Sequence, residues 1–211
     1  MIEERMNGFR KRFYTLRTFF GDLRDLVAHI PALISTIRNK RISRPFTEKI
    51  MLSIASVNEC SYCSYLHTKT ALKGGVSEKE ISKLLTQEIG AFPEDESVAI
   101  AFAQHYAETG RKPDPEAERR FRNYYGPKVS QDIVNYIRIV NFFTMAGNTA
   151  CAFLSRLQGK PAQKSSLVSE FLILVICAPW TLITLIYDAR RKSKENAYKW
   201  LKPLKFAISI V

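Results

Sequence analysis

Two cysteines and a histidine near the middle of the chain are spaced so that a helix would bring them to one face. Cys60, Cys63 and His67 fall at about 0°, 300° and 340° around a helical axis. Asn58 is predicted to cap that helix, which would place both thiols in its first turns. Unpaired backbone N–H groups and the helix dipole favour the thiolate form there, so the pattern predicts a redox-active dithiol.

A carboxylate upstream of this motif constrains the fold further. Glu48 precedes Cys60 by twelve residues, which is roughly 18 Å along one straight helix at about 1.5 Å per residue. Glu48 can approach the thiols only if the chain bends near Asn58. In the resulting hairpin, Glu48 would lie closer to the level of His67 than to that of Cys60. The spacing therefore predicts two packed helices and a proton relay from carboxylate to imidazole to thiol.

The arrangement of Glu48, eleven intervening residues, Cys60-x-x-Cys63 and then x-x-x-His67 resembles the alkylhydroperoxidase D-like branch of the carboxymuconolactone decarboxylase family. The resemblance covers residues 45–161. It implies an all-α, oligomeric domain whose paired cysteines cycle between dithiol and disulfide while they reduce peroxides. It also implies that Glu48 and His67 move protons.

One position departs from the family pattern. The best-studied members carry a His between the two cysteines, whereas this chain has Tyr62. One member of the proton relay is therefore missing, and whether Tyr62 transfers protons or only packs is left open. Because Cys63 lies nearer His67 on the helix, we expect Cys63 to attack the substrate and Cys60 to resolve the intermediate, although the reverse order also fits the spacing.

The pattern between residues 45 and 160 is helical throughout. Capping and stop signals predict the helix boundaries, and they lie at Gly74-Gly75, Ser77-x-x-Glu80, Asp114-Pro115, Tyr125-Gly126-Pro127 and Gly159. No strand pattern, dinucleotide fingerprint, phosphate-binding loop or serine-hydrolase elbow is present. We therefore predict an all-α, alkylhydroperoxidase D-like helical bundle with helical extensions at both ends, and we expect no cofactor.

Both ends of the chain are basic, whereas the middle is nearly neutral. Lys and Arg outnumber Asp and Glu by 10 to 4 in residues 1–44 and by 7 to 2 in residues 188–211, against 15 to 14 between them. Apolar residues recur at helical spacing in residues 9–43, with a kink or a new helix start predicted at His29-Ile30-Pro31. This basic amphipathic segment either contacts an anionic membrane or packs on the core or a partner subunit. Solvated charge alone is a further interpretation.

The tail holds the longest apolar run. Residues 171–187 are seventeen consecutive residues without a charge, close to the lower limit for a membrane-spanning helix. Basic residues flank the run, and Pro179 in its middle could split it into two short halves, which favours a re-entrant or interfacial anchor over a span. A core or subunit-interface helix would show the same pattern. The predicted division is a basic extension at 1–44, the helical domain at 45–161 and an apolar, basic tail at 162–211.

Four cysteines are too few for a secreted disulfide framework, and no signal-peptide pattern is evident. We expect a cytoplasmic protein with residues 171–187 available for membrane association. The expected partners are a peroxide or other small-molecule substrate, a dithiol protein or small thiol as reductant, a second copy of the chain and an anionic membrane surface. Nucleic acid is not expected.

Three alternatives to a peroxidase remain open. Cys60, Cys63 and His67 offer three metal ligands, but structural zinc needs a fourth, so no metal site is expected. A lactone decarboxylase of the same family would not depend on the cysteine pair. A non-catalytic, membrane-associated scaffold would keep the fold without the reaction. His29, His105 and Cys151 are interpreted as structural.

Overall fold

The computed structural model describes residues 11–163 and 165–192. These residues form eight α-helices and one short 3-10 helix, with no strand among them, so the all-α prediction is confirmed. The α-helices are α1 (Leu16–Ala28), α2 (Ile30–Asn39), α3 (Arg44–Val57), α4 (Ser61–Lys73), α5 (Glu78–Leu85), α6 (Glu94–Glu108), α7 (Pro115–Leu157) and α8 (Leu167–Lys192). The 3-10 helix covers Ile89–Ala91.

Most helix ends follow the capping signals in the sequence. Ser77 and Glu80 form the predicted capping box of α5, and Asp114 Oδ1 accepts the first backbone N–H groups of α7. α7 contains a kink at Gly126, whose φ of 72° is a left-handed value that glycine adopts without strain. The predicted break at this position is confirmed. The predicted new start near Pro31 is also present, with His29 as the N-cap of α2.

Contacts divide the described residues into two compact units. The first contains residue 11 and residues 22–144, and it is built around α3, because apolar side chains from this one helix enter two clusters. One cluster joins α3 to α6 and α7 through Ile50, Ile54, Val57, Phe102, Phe121, Ile133 and Ile137. The other joins α3 to α4, α5 and α6 through Leu52, Ala71, Ile81, Leu84 and Ile100.

A polar network also holds α2 against α7 within this unit. Asp132 is buried and accepts hydrogen bonds from Thr36 Oγ1 at 2.7 Å and from the Arg41 guanidinium at 2.5 and 3.0 Å. Burial would raise the pKa of Asp132, but these hydrogen bonds outweigh burial and lower it. The carboxylate therefore stays ionised and links the N-terminal helices to the core.

The second unit contains residues 12–21 and the described residues from 145 onwards. Thr149 Oγ1 accepts the backbone N–H of Tyr14 at 2.8 Å, and Arg156 donates two hydrogen bonds of 2.7 Å to the buried carboxylate of Glu170 at the start of α8. The split that Pro179 could have caused does not occur, since α8 continues through this residue. One missing backbone hydrogen bond leaves those on either side in place.

Among the described residues, α7 is long and apolar enough to cross a membrane, but half of its apolar window is buried inside the fold. A core helix of a soluble protein meets the same criterion. The predicted membrane segment, residues 171–187, lies within α8, whose stretch Leu167–Pro179 is apolar but shorter than a membrane span.

Candidate active site

The predicted site is a helical hairpin formed by α3, a tight turn and α4. The backbone N–H of Asn58 donates to Ile54 O at 2.9 Å, so Asn58 ends α3. Glu59 then takes a left-handed φ of 53°, and the Cys60 N–H returns to Ala55 O at 3.0 Å. A residue with a left-handed backbone, followed by a backbone hydrogen bond that reaches back five residues, is a common way to end a helix. The bend required by the sequence pattern is therefore a helix C-terminal motif.

Asn58 does not cap α4, so that prediction is wrong. Cys60 is the N-cap instead, with extended backbone and its Sγ accepting the Cys63 N–H at 3.4 Å. Asn58 cannot reach α4 because its side chain is fully buried, with Nδ2 donating to Asn141 Oδ1 and to Thr144 Oγ1 at 2.9 Å each. These bonds fix the turn against α7.

The sulfurs of Cys60 and Cys63 lie within disulfide distance of each other, with 5.3 Å between the two Cα atoms. They differ in accessibility, since Cys60 is only 3% exposed whereas Cys63 is half-buried. Both stand at the start of α4, where the free N–H groups and the helix dipole stabilise negative charge. Cys63 is therefore the sulfur that a substrate reaches more easily.

The structure brings Glu48 of α3 against His67 of α4, with Oε2 and Nδ1 separated by 2.9 Å. Both side chains are largely shielded from solvent. An ionised Glu48 can only accept at this contact, so Nδ1 carries the proton and Nε2 is left with its lone pair. His67 follows Cys63 by one turn of the same helix. The arrangement can accept a proton beside the cysteine pair and stabilise the resulting imidazolium.

Lys49, the residue after Glu48 and itself buried, forms an ion triplet that supports the hairpin. Lys49 Nζ donates to Glu80 of α5 and to Glu96 of α6, both at 2.6 Å, and lies 5.7 Å from the centre of the Phe92 ring. Burial would lower the pKa of Lys49, but the two carboxylates outweigh burial and raise it. Hydrogen bonds from Lys49 and then Ser77 lower the pKa of Glu80 to about 2. The triplet ties α3 to α5 and α6 at the residue next to Glu48.

The structure brings together on the hairpin the four residues that the sequence proposed for the site. Sequence reasoning missed Asn58 as an anchor, along with Lys49 and Glu96. Ser77-x-x-Glu80 revealed the cap, but no local signal shows that Lys49, 31 residues earlier, shares the same carboxylate. His105 accepts the Asp114 N–H through Nε2 at 2.9 Å, which fits the structural role predicted for it. Within the described ranges, no group of three or more His, Cys, Asp or Glu side chains is placed to hold a metal ion.

Comparison with known proteins agrees with the resemblance that the motif suggested. Residues 25–104 match the model of the carboxymuconolactone decarboxylase family. This segment is a domain of that family. The family domain contains Glu48, Cys60, Cys63 and His67, and it starts and ends earlier than the predicted 45–161.

A bacterial relative supports the same assignment. The chain is 28% identical over 107 residues to the uncharacterized protein YdfG of Bacillus subtilis (strain 168). The aligned region covers 49% of this chain and 72% of the relative. No solved structure matches the chain significantly. The family domain is therefore supported by sequence likeness as well as by the all-α fold.

Proposed function

We propose that this chain is a thiol-dependent oxidoreductase that reduces peroxides through a Cys60–Cys63 dithiol/disulfide cycle. The observation that carries the proposal is a cysteine pair at disulfide distance on a helix N-terminus, one turn before a histidine that a buried carboxylate orients. The carboxymuconolactone decarboxylase family domain is compatible with this activity.

The proposed first step is nucleophilic attack on the peroxide. His67 Nε2 takes the proton of Cys63, and the thiolate attacks one peroxide oxygen. The O–O bond breaks, Cys63 becomes a sulfenic acid, and the leaving alkoxide takes the proton from His67 to give an alcohol. Glu48 stabilises the imidazolium between the two transfers. Cys63 is the attacking thiol because it is the more exposed of the pair.

Resolution and recovery complete the cycle. The Cys60 thiol attacks the sulfenic sulfur, water leaves, and the Cys60–Cys63 disulfide forms. A dithiol protein or small thiol then reduces this disulfide by two exchange steps and is itself oxidised. The net reaction converts a peroxide and a dithiol to an alcohol, water and a disulfide. We also propose that the chain works as a homo-oligomer. Cytoplasmic location and membrane association through residues 171–187 stay predictions.

The test is the rate of disulfide formation in the reduced full chain after one equivalent of hydrogen peroxide or an organic hydroperoxide, followed by intact mass. Cys60→Ser should accumulate a sulfenic acid that dimedone traps, whereas Cys63→Ser should lose fast peroxide consumption. His67→Ala and Glu48→Gln should slow the reaction by about 100-fold and by a smaller factor, respectively, as expected for a lost acid–base group and its positioning partner.

Cys151→Ser is the matched control, since it removes a thiol outside the motif and should leave the rate unchanged. Tyr62→His restores the residue type that the resembled peroxidases carry between the cysteines, and it should increase the rate. A wild-type rate no faster than that of free cysteine would contradict the proposal. That result would leave a decarboxylase-like enzyme or a non-catalytic scaffold as the better account.

A further inference from the structure

The described part of α8 has one buried and one exposed face. Its buried side contains Ser169, Glu170 and Ile173, all at most 5% exposed. The opposite side carries six large apolar side chains that are 37–60% exposed, namely Leu167, Val168, Phe171, Leu172, Val175 and Ile176. Single exposed apolar residues are ordinary, but a continuous row of them on one helix marks a contact surface. We name these six residues the α8 stripe.

The rest of the second unit holds α8 and leaves most of the stripe exposed. Arg156 pairs with the fully buried Glu170 through two hydrogen bonds, and the Phe153 ring packs against Phe171 at 5.6 Å between centres. A buried, charge-paired anchor at the first turn fixes which side of the helix meets the fold. The stripe is therefore the side of α8 that can contact lipid or another apolar surface.

The sequence that follows the stripe indicates whether lipid or a protein partner contacts it. Residues 171–187 carry no charge on any side of the helix, and α8 remains helical through Lys192. Seventeen helical residues cover about 26 Å, close to the roughly 30 Å of a bilayer's hydrocarbon core. An uncharged run of this length has no polar side to keep in water, which favours lipid over a protein partner that covers one face.

Charge at the end of the run points to the lipid class. Arg190, Arg191 and Lys192 follow Tyr187 almost at once, with Asp188 as the one acidic residue between them. Basic residues next to an apolar segment bind anionic headgroups, and tyrosine favours the headgroup level. We propose that α8 inserts its apolar stripe and the uncharged run that continues it into an anionic phospholipid bilayer, with the basic cluster at the headgroups. This inference does not depend on the thiol chemistry.

The test is flotation of the full chain with vesicles of phosphatidylcholine, alone or mixed with phosphatidylglycerol. Wild type should float with both and bind more tightly to the mixed vesicles. Val175→Asp should weaken binding by more than about tenfold, because an aspartate in the apolar region costs several kcal/mol. Charge reversal of Arg190 and Arg191 to Glu should remove the preference for phosphatidylglycerol. Ile37→Asp is the matched control, since Ile37 on α2 is similarly exposed (56% against 51%), and it should bind as wild type does.

Three results would overturn the proposal. They are a wild type that stays unbound, a Val175→Asp variant that floats like wild type, and an Ile37→Asp variant that loses binding as strongly as Val175→Asp. Analytical ultracentrifugation without lipid tests the competing occupant. If the wild type does not float but forms a dimer, and Val175→Asp dissociates that dimer, the stripe belongs to the contact with a second copy. Circular dichroism melting confirms that both variants fold, and peroxide turnover is measured separately.

Discussion

Glu80→Gln tests whether the Lys49 triplet supports the hairpin that carries the candidate site. Glutamine keeps an oxygen acceptor for the Ser77 cap but removes the charge that faces Lys49, which is only 8% exposed. Lys49 would then have Glu96 as its one remaining carboxylate partner. A buried ammonium that loses half of its compensating charge destabilises the folded state.

The magnitude follows from the depressed pKa of Glu80. A fall from 4.5 to about 2 corresponds to at most about 3 kcal/mol of favourable interaction with the ionised form. Because about a third of the Glu80 side chain is exposed, solvent screening reduces this to about 1–2 kcal/mol. For a chain of this length, that loss lowers Tm by roughly 2–8 °C.

The pH dependence has a definite sign. A carboxylate with a lowered folded-state pKa stabilises the protein fully above its ordinary pKa and loses that contribution as the pH falls from 4.5 towards 2. Urea unfolding of wild type and Glu80→Gln should therefore differ by about 1–2 kcal/mol at pH 7, and the difference should shrink below pH 4.5 and vanish only below about pH 2.

Glu78→Gln provides the control, because Glu78 is exposed and lies in the same first turn of α5. It changes the net charge equally and should cost less than about 0.5 kcal/mol. The reasoning would be refuted if both variants lost the same unfolding free energy. It would also be refuted if the difference between wild type and Glu80→Gln were the same at pH 7 and pH 3.

Three further substitutions test other anchors, each by urea unfolding. Asn58→Ala should cost about 2–4 kcal/mol, because it leaves buried acceptors on α7 without their donor; a loss below about 1 kcal/mol would contradict its anchoring role. Asp132→Asn should cost about 1–2 kcal/mol at pH 7, with a gap that closes as the pH falls below the ordinary 3.8 of this carboxyl; a pH-independent gap would exclude the ionised form as the stabilising species. Glu170→Gln should cost about 2–3 kcal/mol, since Arg156 lowers the pKa of Glu170 and is itself partly exposed, and an unchanged midpoint would show that the pair does not hold α8.

The parts of the fold that local chemistry specifies were predictable from the sequence. Capping residues and helix breakers act within a few positions, so Ser77, Asp114 and Gly126 marked their boundaries correctly. The approach of Glu48 to His67 followed from spacing, since only a bend allows a carboxylate nineteen residues upstream to reach the histidine. Such signals are readable because cause and effect lie close together in the chain.

Features decided by tertiary contacts could not be predicted in this way. An asparagine just before a helical motif is consistent with an N-cap, yet Asn58 ends the preceding helix because partners 83 and 86 residues away hold its side chain. Pro179 suggested a break, but it lies within a helix long enough to continue past one missing hydrogen bond. In both places the local preference was real, and the long-range structure determined the outcome.

Cys60 has an unusual position between two helices, since its backbone N–H completes the end of α3 while its sulfur caps the start of α4. The stability of the first turn of α4 and the oxidation state of the cysteine pair are therefore thermodynamically coupled. When Cys60 is in its thiolate form, its sulfur accepts a hydrogen bond from the Cys63 N–H more strongly than a disulfide sulfur does. Two-electron reduction should therefore tighten the first turn of α4, and that tightening in turn favours the reduced pair, which makes the disulfide a stronger oxidant than the same two cysteines in a flexible loop.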